Sequence, residues 1–321
     1  MELIYKKLIS NELEELELNL SNSISSEIQL ATEVSNYIVS SGGKRIRPVI
    51  CILIAKALNY PGSDLIKLAS SIELLHTATL IHDDVVDRSI LRRGKESIQI
   101  RWDNAHGVLV GDFVYSKAFQ LMASFNNPEI IRALANATNR ISEGEVLQLS
   151  LKNEATLSEK DYFEIIQRKT AELFKVSAVT AGILCSSSDE MVAGLANFSS
   201  SLGTAFQIQD DILDYFGDEN LTGKKIGKDF EERKFTLPVI IALKNLDNKN
   251  RKNFLSLFEK GNKEDFLEIL RILKNGNTFD QMKDIFDLYS KECMRELEKL
   301  PNNLYKEALE EIVNNLGSRL T

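Results

Sequence analysis

Along most of this chain apolar residues return at every third and fourth position, as in DYFEIIQRKTAELFKVSAVTAGIL (161–184) and EALEEIVNNLGSRL (307–320). That is the period of a helix with one buried face. Convincing alternating strands with hairpin turns are missing, and the chain has five prolines to interrupt it. The pattern breaks at SSGGKR (40–45), NYPGSD (59–64), NNPE (126–129), SSSDE (186–190), GDENLTGKKIG (217–227) and LPNN (300–303), which read as turns. None has the Ser/Gly or charged tract of a domain linker. The expectation is an all-α fold, one single-domain helical bundle over residues 1–321 with short loops and a shared core.

A length of 321 residues with 43% hydrophobic content gives room for a large core. The formal net charge of −8 argues against nucleic acid or an anionic membrane as a general partner, so any basic site has to be local. Cys51, Cys185 and Cys293 lack metal-ligand spacing, and MELIYKKLISNELEEL is broken by acids where a signal segment would be apolar. A cytoplasmic location fits. No apolar run reaches the length of a transmembrane segment.

Two short stretches change the picture. HDDVVD (82–87) is echoed by QDDILD (209–214). Residues four apart share a helix face, so Asp83 and Asp87 point one way and Asp210 and Asp214 do likewise, with Asp84 and Asp211 beside them. A solvated acidic stripe is the plain alternative, and FDQMKDIFDLYSKE, with Asp280 and Asp284 at the same spacing, is an internal control for it. There a lysine separates the acids, and Phe279, Met282 and Phe286 mark an ordinary core face. The two motifs instead lie among Leu80, Ile81, Val85 and Val86, and among Ile208, Ile212 and Leu213, where a helix should be buried.

Two carboxylates about 5 Å apart repel by about 3 kcal/mol at an effective dielectric near 20. Divalent metal is the simplest relief. An all-oxygen donor set favours Mg2+, with Mn2+ as the alternative, over zinc. Magnesium seeks phosphate oxygens, so a pair of such motifs predicts a phosphorylated ligand. A competing reading starts from His82-Asp83 as a phosphohydrolase metal doublet; it needs a further histidine well upstream, and the chain has His76, His82 and His106. The basic counterpart is Ser40-Ser41-Gly42-Gly43-Lys44-Arg45-Ile46-Arg47-Pro48, where flexible glycines, Lys44 with Arg47, and a helix start near Pro48 suit an anion. Arg92-Arg93 follows the first motif and can fork onto phosphate oxygens.

GGKRIRP, HDDVVDRSILRRG, VGDF, RKT and QDDILDYFGDENLTGKKIGKD, in this order between about residues 30 and 240, closely resemble the trans-type polyprenyl diphosphate synthases, the long-chain quinone side-chain synthases in particular. The resemblance implies an all-α fold around a deep central cavity, a homodimer, and two aspartate motifs facing each other. Its catalytic group would be Asp83, Asp84, Asp87, Asp210, Asp211, Asp214 and Lys169, with Asp83, Asp87 and Asp210 as direct Mg2+ ligands. Lys44, Arg47, His76 and Arg93 resemble the isopentenyl diphosphate site. Arg92, Lys169, Thr170, Gln207, Lys224 and Lys234 resemble the set that grips the allylic diphosphate.

The implied reaction elongates an allylic diphosphate such as farnesyl diphosphate with isopentenyl diphosphate. Membrane contact would be transient, at product release. In this family a bulky aromatic four or five residues before the first aspartate closes the product pocket. Here those places hold Thr79 and Ala78, with Leu75 a turn below, which points to a long chain, octaprenyl first. The alternatives are a shorter-chain farnesyl or geranylgeranyl synthase, a subunit of a heteromeric synthase, a phosphohydrolase or a cyclase.

Overall fold

The computed structural model describes residues 3–151, 157–218, 226–318 and 320, with Lys263 by its backbone alone. By their packing the residues divide into two compact units, 1–138, 173–196 and 297–311 in the first and 139–172, 197–296 and 312–321 in the second. Helices α1 (Ile4–Leu8), α2 (Ser10–Ser23), α3 (Gln29–Val39), α4 (Ile46–Ala57) and α5 (Leu65–Val86) open the chain, followed by α6 (Ile98–Arg101) and α7 (Asn104–Ala123). Next come α8 (Pro128–Leu151), α9 (Glu159–Ile166), a π-helical turn (Gln167–Ala171), α10 (Glu172–Leu184) and α11 (Asp189–Phe216). Later helices span Lys228–Glu231, Leu237–Asn245, Asn248–Lys260, Lys263–Asn275, Thr278–Leu297 and Leu304–Gly317. The breaks at 40–45, 59–64 and 300–303 fall between helices, those at 126–129 and 186–190 run into the first turns of α8 and α11, and most of 217–227 lies outside the described residues. Pro128 takes the first position of α8, where its missing N–H costs no helical bond.

In the first unit α5 packs against α7, α4 and α2. Ile72, Leu74, Leu75 and Ala78 are buried, and so are Ser70, Ser71, Glu73 and Thr77 on the other faces. Helices enclosed like this are apolar nearly all round rather than along one stripe. Each fully buried Leu or Ile is worth about 1.5–3 kcal/mol. α4 begins two residues ahead of Pro48, which sits in its first turn, and its cap Arg45 is left-handed at φ 47°.

One element departs from the all-helical expectation. Leu91–Arg92 and Lys95–Glu96 form an antiparallel ribbon, with Leu91 opposite Glu96 and Arg92 opposite Lys95. Two-residue strands are too short to show alternation. Their turn residues, Arg93 at φ 53° and Gly94 at φ 76°, are both left-handed, as the twist of a two-residue hairpin requires.

In the second unit Ser158 and Asp161 cap α9 reciprocally: Ser158 Oγ accepts from the Asp161 N–H at 3.2 Å, and Asp161 Oδ2 from the Ser158 N–H at 3.0 Å. A core of Tyr215, Phe230, Phe254, Phe258, Ile269 and Leu273 closes the far end of α11 against the helices that follow it. α8 comes close to the π turn through Gly144, where a Cβ would lie 2.7 Å from Arg168 Cβ and 2.9 Å from the Lys169 backbone N. No helix among the described residues is long and apolar enough to cross a membrane.

Backbone atoms do not yield as a flexible side chain does, so Gly144→Ala is expected to destabilise the protein by about 1–3 kcal/mol. A thermal midpoint equal to the parent's would contradict the close approach.

Candidate active site

Asp83, Asp84 and Asp87 end α5, and the three differ in surroundings. Asp84 is 1% exposed. Arg92, carried back by the ribbon, forks onto it: Nε donates to both carboxylate oxygens at 3.0 Å, and Nη2 to Oδ1. Burial works to lower the Arg92 pKa, but its bond to Asp84 and the acids around it raise it overall, so the guanidinium stays charged. Gln99 Nε2 donates to the Asp84 and Ser89 carbonyls at 2.7 and 2.6 Å, tying α6 to the end of α5. Asp83 and Asp87 are half-buried on the neighbouring face. Val86, expected inside, is 57% exposed.

The basic residues of the first unit gather at the start of α4. Arg47 Nη1 meets His76 Nε2 at 3.1 Å, and its guanidinium lies 4.5 Å from the centre of the Phe174 ring. Burial, then the charges of Arg47, Arg93, Arg92 and Arg45, push the His76 pKa well below its ordinary value. The imidazole is therefore neutral, and Nε2 accepts from Arg47. Burial takes Arg47 down to about 10, still cationic at neutral pH. Arg93 lies across the glycine loop: a Cβ on Gly43, at φ 146°, would sit 2.7 Å from Arg93 Nη2. The φ at Gly43 is one that residues with a side chain rarely adopt, and the close approach makes GGK and RRG two halves of one cationic patch. Lys44 is exposed beside it.

The second unit repeats the division among its aspartates. Asp211 is 2% exposed. Tyr162 Oη donates to its Oδ2 at 2.7 Å, Gln207 Nε2 to its Oδ1 at 2.9 Å, and the Leu237 N–H to Oδ2 at 3.4 Å. Thr170 Oγ1 donates in turn to Gln207 Oε1 at 3.0 Å. Asp214 holds the start of the Lys228–Glu231 helix: its carboxylate accepts from the Lys228 and Asp229 N–H groups at 3.1 and 3.0 Å, and its carbonyl from the Gly227 N–H at 2.7 Å. Asp210 is half-buried. Lys169, on the π turn, pairs with Glu145 at 2.7 Å, and Lys234 with Glu232 at 2.7 Å. π turns offset a helix face by one residue and recur at functional sites. Lys224 lies outside the described residues.

The internal control behaves as a solvated stripe, with Asp280 and Asp284 exposed above buried Met282 and Phe286. The three histidines serve different places: His82 Nε2 lies 3.3 Å from the Val108 carbonyl and 3.4 Å from Asp112, and His106 pairs with the α7 cap Asp103. No group of three His, Cys, Asp or Glu among the described residues forms a ready-made metal cage. A magnesium ion asks for less, namely one or two carboxylates plus phosphate and water.

The donor set fits such an ion. Burial, above all, holds Asp211 up at about 7 and raises Asp214 and Asp229, each also pressed by neighbouring carboxyls. Sequence reasoning missed Asp229, although it ends the GKKIGKD segment. It missed Tyr162 too, which reads as an ordinary core aromatic.

Comparison with known proteins agrees. The family model described as Polyprenyl synthetase matches residues 28–273. The chain belongs to the polyprenyl synthetase family. It is 39% identical over 287 residues to the octaprenyl diphosphate synthase of Escherichia coli K12, covering 89% of both chains. Its fold matches the crystal structure of a decaprenyl diphosphate synthase from Rhodobacter capsulatus with a TM-score of 0.94 at 33% identity, covering 99% and 98% of the two chains. It matches a Caulobacter crescentus polyprenyl synthase crystallised with calcium and isoprenyl diphosphate with a TM-score of 0.92 at 33% identity, covering 99% and 97%. The enzyme is thus a polyprenyl diphosphate synthase, a prenyltransferase of trans-chain elongation that acts on isopentenyl and allylic diphosphates with divalent metal.

Because Asp211, Asp214 and Asp229 are raised in the fold, the stability they contribute is full below about pH 4, their ordinary range, and is lost as pH rises through their folded values. In EDTA the thermal midpoint is expected to fall between pH 6 and 8, and divalent metal to restore more of it at pH 8 than at pH 6. Scanning calorimetry at both pH values checks this; equal metal effects would contradict it.

Proposed function

We propose that this enzyme extends an allylic diphosphate such as farnesyl diphosphate to a long all-trans product, octaprenyl first, for a quinone side chain. The observation that carries the chain length is the pair of small residues before Asp83. Thr79 is half-buried, its Oγ1 donating to the His76 carbonyl at 2.8 Å, while Ala78 and Leu75 are buried with 0% and 2% exposure. On α5 the places four and five residues before Asp83 carry no aromatic ring. The relatives named above for octaprenyl and decaprenyl products fit a long chain.

In this reading Asp83, Asp87 and Asp210 hold Mg2+, for which Mn2+ can substitute. Bound metal supplies positive charge to the leaving diphosphate. Asp84 and Asp211, already held by Arg92 and by Tyr162 and Gln207, fix the angle of the acids beside them, and Asp214 anchors the segment that carries Lys234. Lys169, Thr170, Gln207, Arg92, Lys224 and Lys234 orient the allylic diphosphate. Lys44, Arg47, Arg93 and neutral His76 bind isopentenyl diphosphate, His76 keeping Arg47 aimed. The apolar wall of α5 excludes water from the cation. No side chain is assigned as base; the departed diphosphate takes the proton.

The same proposal places the enzyme in the cytoplasm as one functional domain and as a homodimer, with transient membrane contact at product release. Leu109 and Phe119, 67% and 38% exposed along one side of α7, support a second copy as cover.

Purified protein with Mg2+, farnesyl diphosphate and labelled isopentenyl diphosphate is expected to yield products of about seven to nine isoprene units, the span carried by the family resemblance. Diphosphate release without elongation would sink the reading, and a twenty-carbon end product would favour the short-chain alternative. Asp83→Ala or Asp210→Ala should cut turnover by about two orders of magnitude or more with the helical fold intact; near-full activity would remove that residue from the metal set. Thr79→Phe should shorten the product without abolishing condensation. Ala78→Phe or Ala78→Tyr should do the same at an overpacking cost of about 1–3 kcal/mol. Unchanged chain length in all three would dissociate this helix face from the product channel.

A further inference from the structure

Arg45 stands between Lys44 and Arg47 in the cationic loop, yet its guanidinium is turned inward. Nε and Nη2 fork onto the two Glu17 oxygens at 2.7 and 3.0 Å, Nη2 also reaches the Val39 carbonyl at 2.8 Å, and Nη1 donates to Glu73 at 2.8 Å. Glu73 is 2% exposed and Arg45 7%. One side chain thus links α2, the end of α3 and α5 to the residue that caps α4.

We propose that Arg45, Glu73 and Glu17 form a positioning latch for the isopentenyl diphosphate site. The inference rests on the assignment of Lys44, Arg47, His76 and Arg93 to that diphosphate. Glu73 and His76 are three residues apart on α5, hence on one face. Arg45 and Arg47 are two apart at the start of α4. The same two segments are therefore joined by two rungs, Arg45 to Glu73 and Arg47 to His76. The first rung is wholly committed to protein and sets the register of the second. Arg47 Nε is buried without a protein partner, so the second rung presents a donor. The Glu73 carboxylate also opposes the downward shift that burial imposes on Arg47 and Arg93. Glu17 lies in α2, ahead of the residues 28–273 matched by the family model. The latch therefore reaches beyond the common core of the family, and the N-terminal helix takes part in substrate affinity.

Removing one member of a buried ion pair strands the other, so folding must be separated from positioning. Arg45→Met/Glu73→Met together removes both charges at similar volume. Isopentenyl diphosphate titrated into metal-free protein in EDTA reads this site without the metal-dependent one. The double variant is expected to keep a cooperative melt while binding isopentenyl diphosphate about tenfold more weakly, the scale of a small misplacement of binding groups. Glu17→Gln, which removes an exposed partner, is expected to weaken it about threefold. In turnover the KM for isopentenyl diphosphate rises while the KM for the allylic diphosphate stays at the parent value. Parent affinity in the folded double variant would overturn the latch. Arg93→Ala is the control: if it too binds as the parent does, the assignment of the diphosphate site itself is wrong.

Discussion

Carboxylates held where water is scarce repel one another and resist ionisation, and the rest of this structure is arranged around that constraint. Each aspartate motif places three acids within two turns of helix, and at about 3 kcal/mol per close pair the repulsion rivals the stability of a whole domain. Both motifs relieve it in the same manner. The second aspartate of each doublet turns inward and is neutralised or hydrogen-bonded by protein, Asp84 by Arg92 and Asp211 by Tyr162, Gln207 and the Leu237 N–H. Asp83, Asp87 and Asp210 are half-buried, and under the proposed function they are the acids left for a divalent ion.

Like charge gathers on the basic side as well, and the remedy there is different. Arg45, Arg47 and Arg93 crowd one loop, with a buried carboxylate set under them at Glu73 and a neutral imidazole between. The patch keeps its cations without collapsing onto them. Backbone geometry makes the arrangement possible: Gly43 admits the Arg93 guanidinium, the left-handed ribbon turn swings Arg92 back onto Asp84, and Gly144 lets α8 reach the π turn that carries Lys169.

Much of this was legible from local pattern. The helices and the breaks between described helices follow from the 3.6-residue period and from Gly and Pro placement, both of which are properties of adjacent residues. The motifs were legible because four-residue spacing and apolar surroundings distinguish them from Asp280 and Asp284, which are exposed. What stayed hidden depends on distant partners. Asp83 and Asp84 have nearly the same sequence neighbours, and which of them turns inward is decided by the packing of α5 and by Arg92 on a ribbon too short to show alternation. Tyr162 meets Asp211 across 49 residues, and nothing in its own helix marks it as other than core. Nothing in the sequence separates Arg45 from Lys44 and Arg47, because its acceptors come from α2, α3 and α5.

The central claim is the division of labour within each doublet, the outer acid for metal and the inner acid for support. Manganese binding followed by electron paramagnetic resonance, with diphosphate substrate analogue present, tests it directly on Asp83→Asn, Asp84→Asn, Asp210→Asn and Asp211→Asn. The account predicts that the Asp83 and Asp210 variants lose bound metal, while the Asp84 and Asp211 variants keep it with altered line shape. Loss of metal from the inner variants with retention in the outer ones would contradict it.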